Sequence, residues 1–192
     1  MQDNSDRENQ RNKIKQIVHQ RNKNRRKKHK KMTIKEMISE EIKERLHRQK
    51  KLFLEAESAG DTFSLGRSLG EAAEPGEVYT LTGDLGVGKT VFTQGFAAGL
   101  GLKEPVNSPT FTIVQIYEEG RLPLYHFDVY RIGDVEEMEE IGYEDCFYGQ
   151  GVSVIEWADL IEEILPEHYI RVVIEKTPEK GFDYRRITLE EI

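Results

Sequence analysis

Eight residues of this sequence, Gly83-Asp84-Leu85-Gly86-Val87-Gly88-Lys89-Thr90, satisfy the pattern G-x-x-x-x-G-K-[ST] at every position. Glycines let a backbone curl closely around a triphosphate, so that successive N–H groups point at it. The lysine then sets a point charge against the β- and γ-phosphates, and the threonine hydroxyl is a hard oxygen ligand for Mg²⁺. Gly83, Gly86 and Gly88 are the candidates for the first role, with Asp84, Leu85, Val87 and Val91 completing the stretch that would cradle the nucleotide; Lys89 and Thr90 take the other two. The plain alternative is a glycine-rich turn.

Phosphoryl chemistry also needs a carboxylate at the end of a neighbouring strand, to hold the metal or polarise a water. Two apolar runs end in one: Leu124-Tyr-His-Phe-Asp128 and Val152-Ser-Val-Ile-Glu156. Asp128, Glu156 and Lys89 are therefore the catalytic candidates, although each acid alone could be a solvated strand end. In Asn107-Ser-Pro-Thr-Phe111, the residues Ser108, Pro109 and Thr110 lie where a segment sensing the γ-phosphate would sit, a simple turn being the other reading. His126 shares a strand face with Asp128 and reads as a packed, hydrogen-bonded residue, with a metal pair as the sharper alternative. Trp157 reads as core or pocket wall.

The elements that would position these residues follow from hydropathy. Val78 to Thr82 has strand composition and leads into the glycine loop, and Val91 to Leu100 continues from it as a helix stopped by Gly99 and Gly101. A helix is expected from Thr62 to Ala73. A hairpin is expected from Phe111 to Tyr117 and Leu122 to Asp128, an acidic helix from Val135 to Ile141, and a strand at Val152 to Ile155. A helix around Ala158 to Leu165 and strands at Ile170 to Ile174 and Arg186 to Leu189 finish the body. Strands alternating with helices predict an α/β fold of the P-loop NTPase kind: a mostly parallel central sheet with helices on both faces and antiparallel edge strands.

Charge divides the 192 residues in two. Residues 1–51 hold 18 Lys/Arg against 7 Asp/Glu and the rest 10 against 28, which suggests a basic extension for an anionic partner on an acidic body. Up to Lys31 nothing apolar accumulates, and Arg21 to Lys31 is the densest cationic run, read as disordered or as a solvated helix. From Thr33 to Leu54 the residues Ile34, Ile38, Ile42, Leu46 and Phe53 recur near helical spacing, so an amphipathic helix is expected there, packed on the body or on a partner. The expected division is a 1–51 extension and a 52–192 domain. With one cysteine, Cys146, and no run apolar enough for a membrane span or a signal-peptide core, a soluble cytoplasmic protein is expected.

No N-K-x-D or T-K-x-D element of the sort that reads guanine occurs, which favours ATP. The arginines after the loop (Arg121, Arg131, Arg171, Arg185, Arg186) form no lid-like cluster, which makes a small-molecule kinase the second choice. A nucleotide-dependent binding module with incidental hydrolysis is the rival from another class.

The ordered set GDLGVGKT, NSPTFTIV, LPLYHFDVYR, a Glu-rich helix before IGYEDCF, and VSVIEWAD resembles the TsaE family, the ATPase of bacterial tRNA threonylcarbamoyladenosine (t6A) biosynthesis. The likeness runs from about Leu52 to the C-terminus. It implies an Mg²⁺-dependent ATPase that works with the TsaB–TsaD complex and supports its turnover; the sequence shows no obvious internal arginine finger, Arg131 being the nearest candidate, so the isolated protein is expected to be slow. By motif position it implies Thr90 and Glu156 as magnesium ligands, Asp128 as the other acid needed for hydrolysis, Ser108 to Thr110 as a switch-like loop and Thr62 close to the adenine. Residues 1–50 have no counterpart in the family pattern. They read as an arm for tRNA or a partner, as a solvated tail, or as an upstream extension of the reading frame with Met32 or Met37 the start.

Overall fold

The computed structural model describes residues 32–33 and 39–192. The cationic run Arg21 to Lys31, and Ile34 and Ile38 of the expected amphipathic helix, lie outside the described residues. The compact unit runs from Met32 to Ile192.

Among the described residues, eight strands form one sheet in the order β1-β2-β8-β7-β3-β6-β5-β4. They span β1 Met32–Thr33, β2 Lys51–Ala56, β3 Val78–Thr82, β4 Val114–Tyr117, β5 Leu124–Asp128, β6 Val152–Glu156, β7 Ile170–Lys176 and β8 Arg185–Glu191. The centre, β7-β3-β6-β5, is parallel, while β4 and the β2–β8 pair join it antiparallel. Every residue of β6 is buried, as expected of a strand covered on both faces.

One face carries α1 (Ser39–Gln49), α2 (Ala59–Ala72) and α3 (Lys89–Gly99), packed through Leu65, Leu69, Phe92 and Phe96 on Tyr79, Leu81 and Val154. The other carries α4 (Glu136–Glu140), α5 (Tyr143–Phe147) and a kinked 3₁₀ run, Ala158–Ile164, over Phe127, Ile155 and Val78. The strands alternate between the two faces with period two, so Leu124 and Val152 point to the α3 side, and so do the residues two and four further on. That register is what sends His126, Asp128 and Glu156 toward the helix that follows the glycine loop.

Four elements differ from the sequence expectation. The helix expected from Thr33 to Leu54 is the shorter α1; Lys50 turns out of it with φ 61°, and Leu52, Leu54 and Ala56 then alternate into the core as β2, paired with β8. Helix α2 starts earlier than Thr62, because Ser58 Oγ caps the N–H of Asp61 while the Asp61 carboxylate accepts from Glu57 N. The first hairpin strand begins only at Val114, because Pro109 O accepts from Thr112 N and Ile113 N and closes a turn there. The run after Trp157 is 3₁₀, broken at Ile161, where the sequence suggested an α-helix.

At the far end of α2, Arg121 Nη2 donates to the carbonyls of Gly70 (2.7 Å) and Ala73 (2.6 Å), satisfying acceptors the helix leaves open. Arg121→Ala is expected to cost about 1–2 kcal/mol, read as a lower urea midpoint with an unchanged slope.

Candidate functional site

The glycine loop lies between β3 and α3, the strand-to-helix arrangement expected of it. Gly83 has φ 139°, and a Cβ there would stand 2.2 Å from Ile174 O; Gly88, with φ 109°, caps α3. Both positions are closed to a side chain by conformation, and the first by β7 as well. The loop is tied from outside: Arg185 Nε donates to Val87 O (2.8 Å) and Lys176 Nζ to Leu85 O (3.1 Å), while the Leu85 side chain is 79% exposed at the tip.

Lys89 is buried, donating through Nζ to the carbonyls of Gly83 (2.7 Å) and Asp84 (3.2 Å). The same ammonium lies 3.6 Å from the centroid of the Trp157 ring. Burial pushes its pKa below the ordinary lysine value, against the upward pull of Glu156, Asp128, Asp159 and Asp84. An anion placed before it would strengthen the charged form.

The strand ends converge on this lysine. Asp128 and Glu156 are register partners on β5 and β6, both buried. Glu156 Oε2 accepts from Thr90 Oγ1 (3.2 Å), and its Oε1 lies 3.0 Å from His126 Nε2, so Glu156 is the acid that touches the loop threonine. Asp128 Oδ2 accepts from Ser108 Oγ and from Thr110 Oγ1 (2.7 Å), and its Oδ1 from Tyr130 N (3.2 Å). The Ser108–Thr110 segment is thus latched to Asp128, and Phe111 beyond it is 85% exposed with the Arg131 guanidinium 4.6 Å from its ring centroid.

Trp157 follows Glu156 with φ 63°, a left-handed conformation that costs an L-residue roughly 1–2 kcal/mol. Its N–H is anchored on Leu81 O, and its ring meets Tyr130 at 4.9 Å. It is a pocket wall.

Thr62 lies across the loop, lining a 130 Å³ cavity with Gly86, Gly88, Val91, Asp183 and Arg185. Nothing in the sequence pointed to Asp183 or Arg185. Asp183 arrives from the β7–β8 connection and Arg185 from the first position of β8, and no local pattern announces a contact such as that of Arg185 with Val87, 98 positions away.

Among the described residues, no cluster of three or more His, Cys, Asp or Glu side chains could hold a metal by itself. One hydroxyl (Thr90) and one carboxylate (Glu156) side by side suit Mg²⁺, which is held by one or two protein oxygens and takes its other ligands from phosphates and water. No described helix is long and apolar enough to cross a membrane.

A parallel-centred α/β sheet, a glycine loop that opens a helix, and acids at adjacent strand ends define a P-loop protein. Residues 56–187 match the family model described as threonylcarbamoyl adenosine biosynthesis protein TsaE, and the chain belongs to the TsaE family. A protein named tRNA threonylcarbamoyladenosine biosynthesis protein TsaE from Bacillus subtilis is 52% identical over 128 residues, 67% of this chain and 78% of that one. One of the same name from Treponema pallidum is 46% identical over 115 residues, 60% of this chain and 84% of that one. The crystal structure of Bacillus subtilis YdiB superposes with a TM-score of 0.63 at 43% identity, covering 72% of this chain and 84% of that one.

Proposed function

We propose that the chain binds ATP with Mg²⁺ at the edge formed by the glycine loop and the ends of β5 and β6, and hydrolyses it in support of tRNA t6A formation by a TsaB–TsaD complex in the cytoplasm. The observation that carries this reading is the convergence of Lys89, Thr90, Glu156 and Asp128 on one side of the sheet, with the Ser108–Thr110 segment latched to Asp128.

In this reading the loop N–H groups and Lys89 bind and orient the phosphates, and the adenine lies toward Thr62, Asp183 and Arg185. Mg²⁺, held by Thr90 and Glu156, would supply neutralisation of charge on the β- and γ-phosphate oxygens. Asp128 is placed to accept a proton from the attacking water as its oxygen bonds to the γ-phosphorus and the bond to the β-bridging oxygen breaks. To do so it must exchange the Ser108 and Thr110 hydroxyls for that water, which ties the loop's position to turnover.

The slowness expected of the isolated protein has support in the arginines. Arg121 caps α2, Arg131 lies on Phe111, Arg171 donates to Glu162 and Tyr169, Arg185 holds the glycine loop, and Arg186 pairs with Glu175. Each is already engaged in a contact of its own, so a cation at the transition state would come from a partner or require one of these contacts to break.

The test is ATP turnover and t6A yield with and without TsaB–TsaD, for the parent chain and Lys89→Ala. Turnover accelerated by the partners, and t6A over many cycles only with an intact Lys89, is the expected result; partner-independent turnover and unchanged t6A yield would overturn it. The basic extension is tested separately, by measuring tRNA affinity after removal of residues 1–31.

A further inference from the structure

One buried side chain near the site has no part in the chemistry above. His126 is 0% exposed, and its Nε2 lies 3.0 Å from Glu156 Oε1. Its Nδ1 has no hydrogen-bond partner among the described residues. That pattern selects a tautomer. A proton on Nδ1 would be buried without an acceptor, and the lone pair then left on Nε2 would face a carboxylate oxygen. With the proton on Nε2, the ring donates to Glu156 and only a weak acceptor remains unpaired.

The orientation of Glu156 follows. Its carboxylate has two oxygens and a short list of neighbours: Thr90 Oγ1 at Oε2, His126 Nε2 at Oε1, and the Lys89 ammonium acting on it through space. Lys89 would draw a freely turning carboxylate to itself. The bond from His126, on the strand beside and in register with β6, occupies Oε1 and leaves Oε2 presented to Thr90.

We propose that His126 is a positioning residue: it fixes the Glu156 carboxylate so that one oxygen stands beside the Thr90 hydroxyl and completes the pair of protein ligands for magnesium. The inference rests on the reading of Thr90 and Glu156 as that pair. Partners of this kind, which bond to a ligand without touching the metal, typically change metal affinity by about 10–100-fold when removed.

The experiment titrates Mg²⁺ against binding of a non-hydrolysable ATP analogue, followed by calorimetry, in the parent chain, His126→Phe, His126→Gln and His126→Asn. Phe keeps the ring and loses the donor. Gln returns an N–H close to the place of Nε2, whereas Asn is too short to do so. The expected result is that His126→Phe and His126→Asn need about 10–100-fold more Mg²⁺ to tighten binding, with analogue affinity in EDTA unchanged, and that His126→Gln restores the parent midpoint. A purely structural role would instead weaken binding equally with and without Mg²⁺, in step with thermal stability. The proposal is overturned if His126→Phe keeps the parent midpoint, or if Gln is no better than Asn; should the Phe variant fail to fold, the comparison of Gln with Asn decides. Magnesium-independent binding by the parent chain would overturn the reading of Thr90 and Glu156, and this inference with it.

Discussion

Glu156→Gln is expected to leave nucleotide binding in EDTA nearly intact, to raise the Mg²⁺ needed to tighten it, and to lower turnover in the presence of TsaB–TsaD by about 100-fold or more, some 3 kcal/mol of lost transition-state stabilisation. The amide matches the carboxylate in shape, and its oxygen can still accept from His126 Nε2, so the buried end of β6 keeps its packing. What is lost is the negative charge beside Thr90 and the hard oxygen there, since the amide NH₂ is a donor where a metal requires a lone pair. Phosphate binding rests on the loop backbone and Lys89, which the substitution does not touch. Calorimetric ATP titration beside a phosphate-release assay separates the two effects. Parent-like turnover in the variant would remove Glu156 from the chemistry, and t6A formation kept in spite of lost turnover would leave a binding module as the better description.

The second large effect concerns stability. Gly95→Ala is expected to cost about 3 kcal/mol or to prevent folding, because an added Cβ would sit 2.0 Å from Phe63 O, a backbone atom of α2. The crossing is reciprocal: Cβ atoms at Gly66, Gly70 and Gly99 would stand 2.1, 2.1 and 2.2 Å from the carbonyl oxygens of Phe92, Phe96 and Arg67. Four glycines thus bring the two helices into backbone contact, and neither can shift without lifting Phe92 and Phe96 from Tyr79 and Leu81 beneath them. Gly60→Ala is the control. It lies in the first turn of α2 with Ser58 Oγ 3.5 Å away, so alanine there should stabilise by roughly 0.5–1 kcal/mol. Urea denaturation of both variants checks the difference in sign, and equal midpoints would show that the helix contact can relax.

The candidate site was legible in the sequence to the extent that it is local. The glycine loop, the two strand-end acids and the Ser108-Pro-Thr110 segment announce themselves by residue type and short spacing, and the period of two along β5 placed His126 with Asp128. What residue type and spacing alone could not supply was pairing, which only the family resemblance offered for Thr90 and Glu156. That Asp128 belongs with the loop hydroxyls and Glu156 with Thr90 depends on the strand order, which brings β5 and β6 together across an intervening excursion of chain. Asp183 and Arg185 reach the loop only because β8 folds back beside β7. At the front, the period of Ile42 and Leu46 was read correctly as helical and then carried too far. Leu52, Leu54 and Ala56 switch to a period of two because β8 pairs with them, and a window straddling Lys50 mixes the two patterns.

Strand β2 has one more consequence, for the company the protein keeps. Without it β8 would present seven residues of unpaired backbone along one border of the sheet; with it, that border is β2, whose Leu54 and Glu55 are covered by β1 among the described residues, and the other border is the four residues of β4. The four-residue border runs directly into Glu118 and Glu119, whose like charges repel an identical strand brought alongside. A border as short and as charged as β4 offers little template for another chain to extend, and it helps keep the sheet from growing into its neighbours in the crowded solution where it has to work.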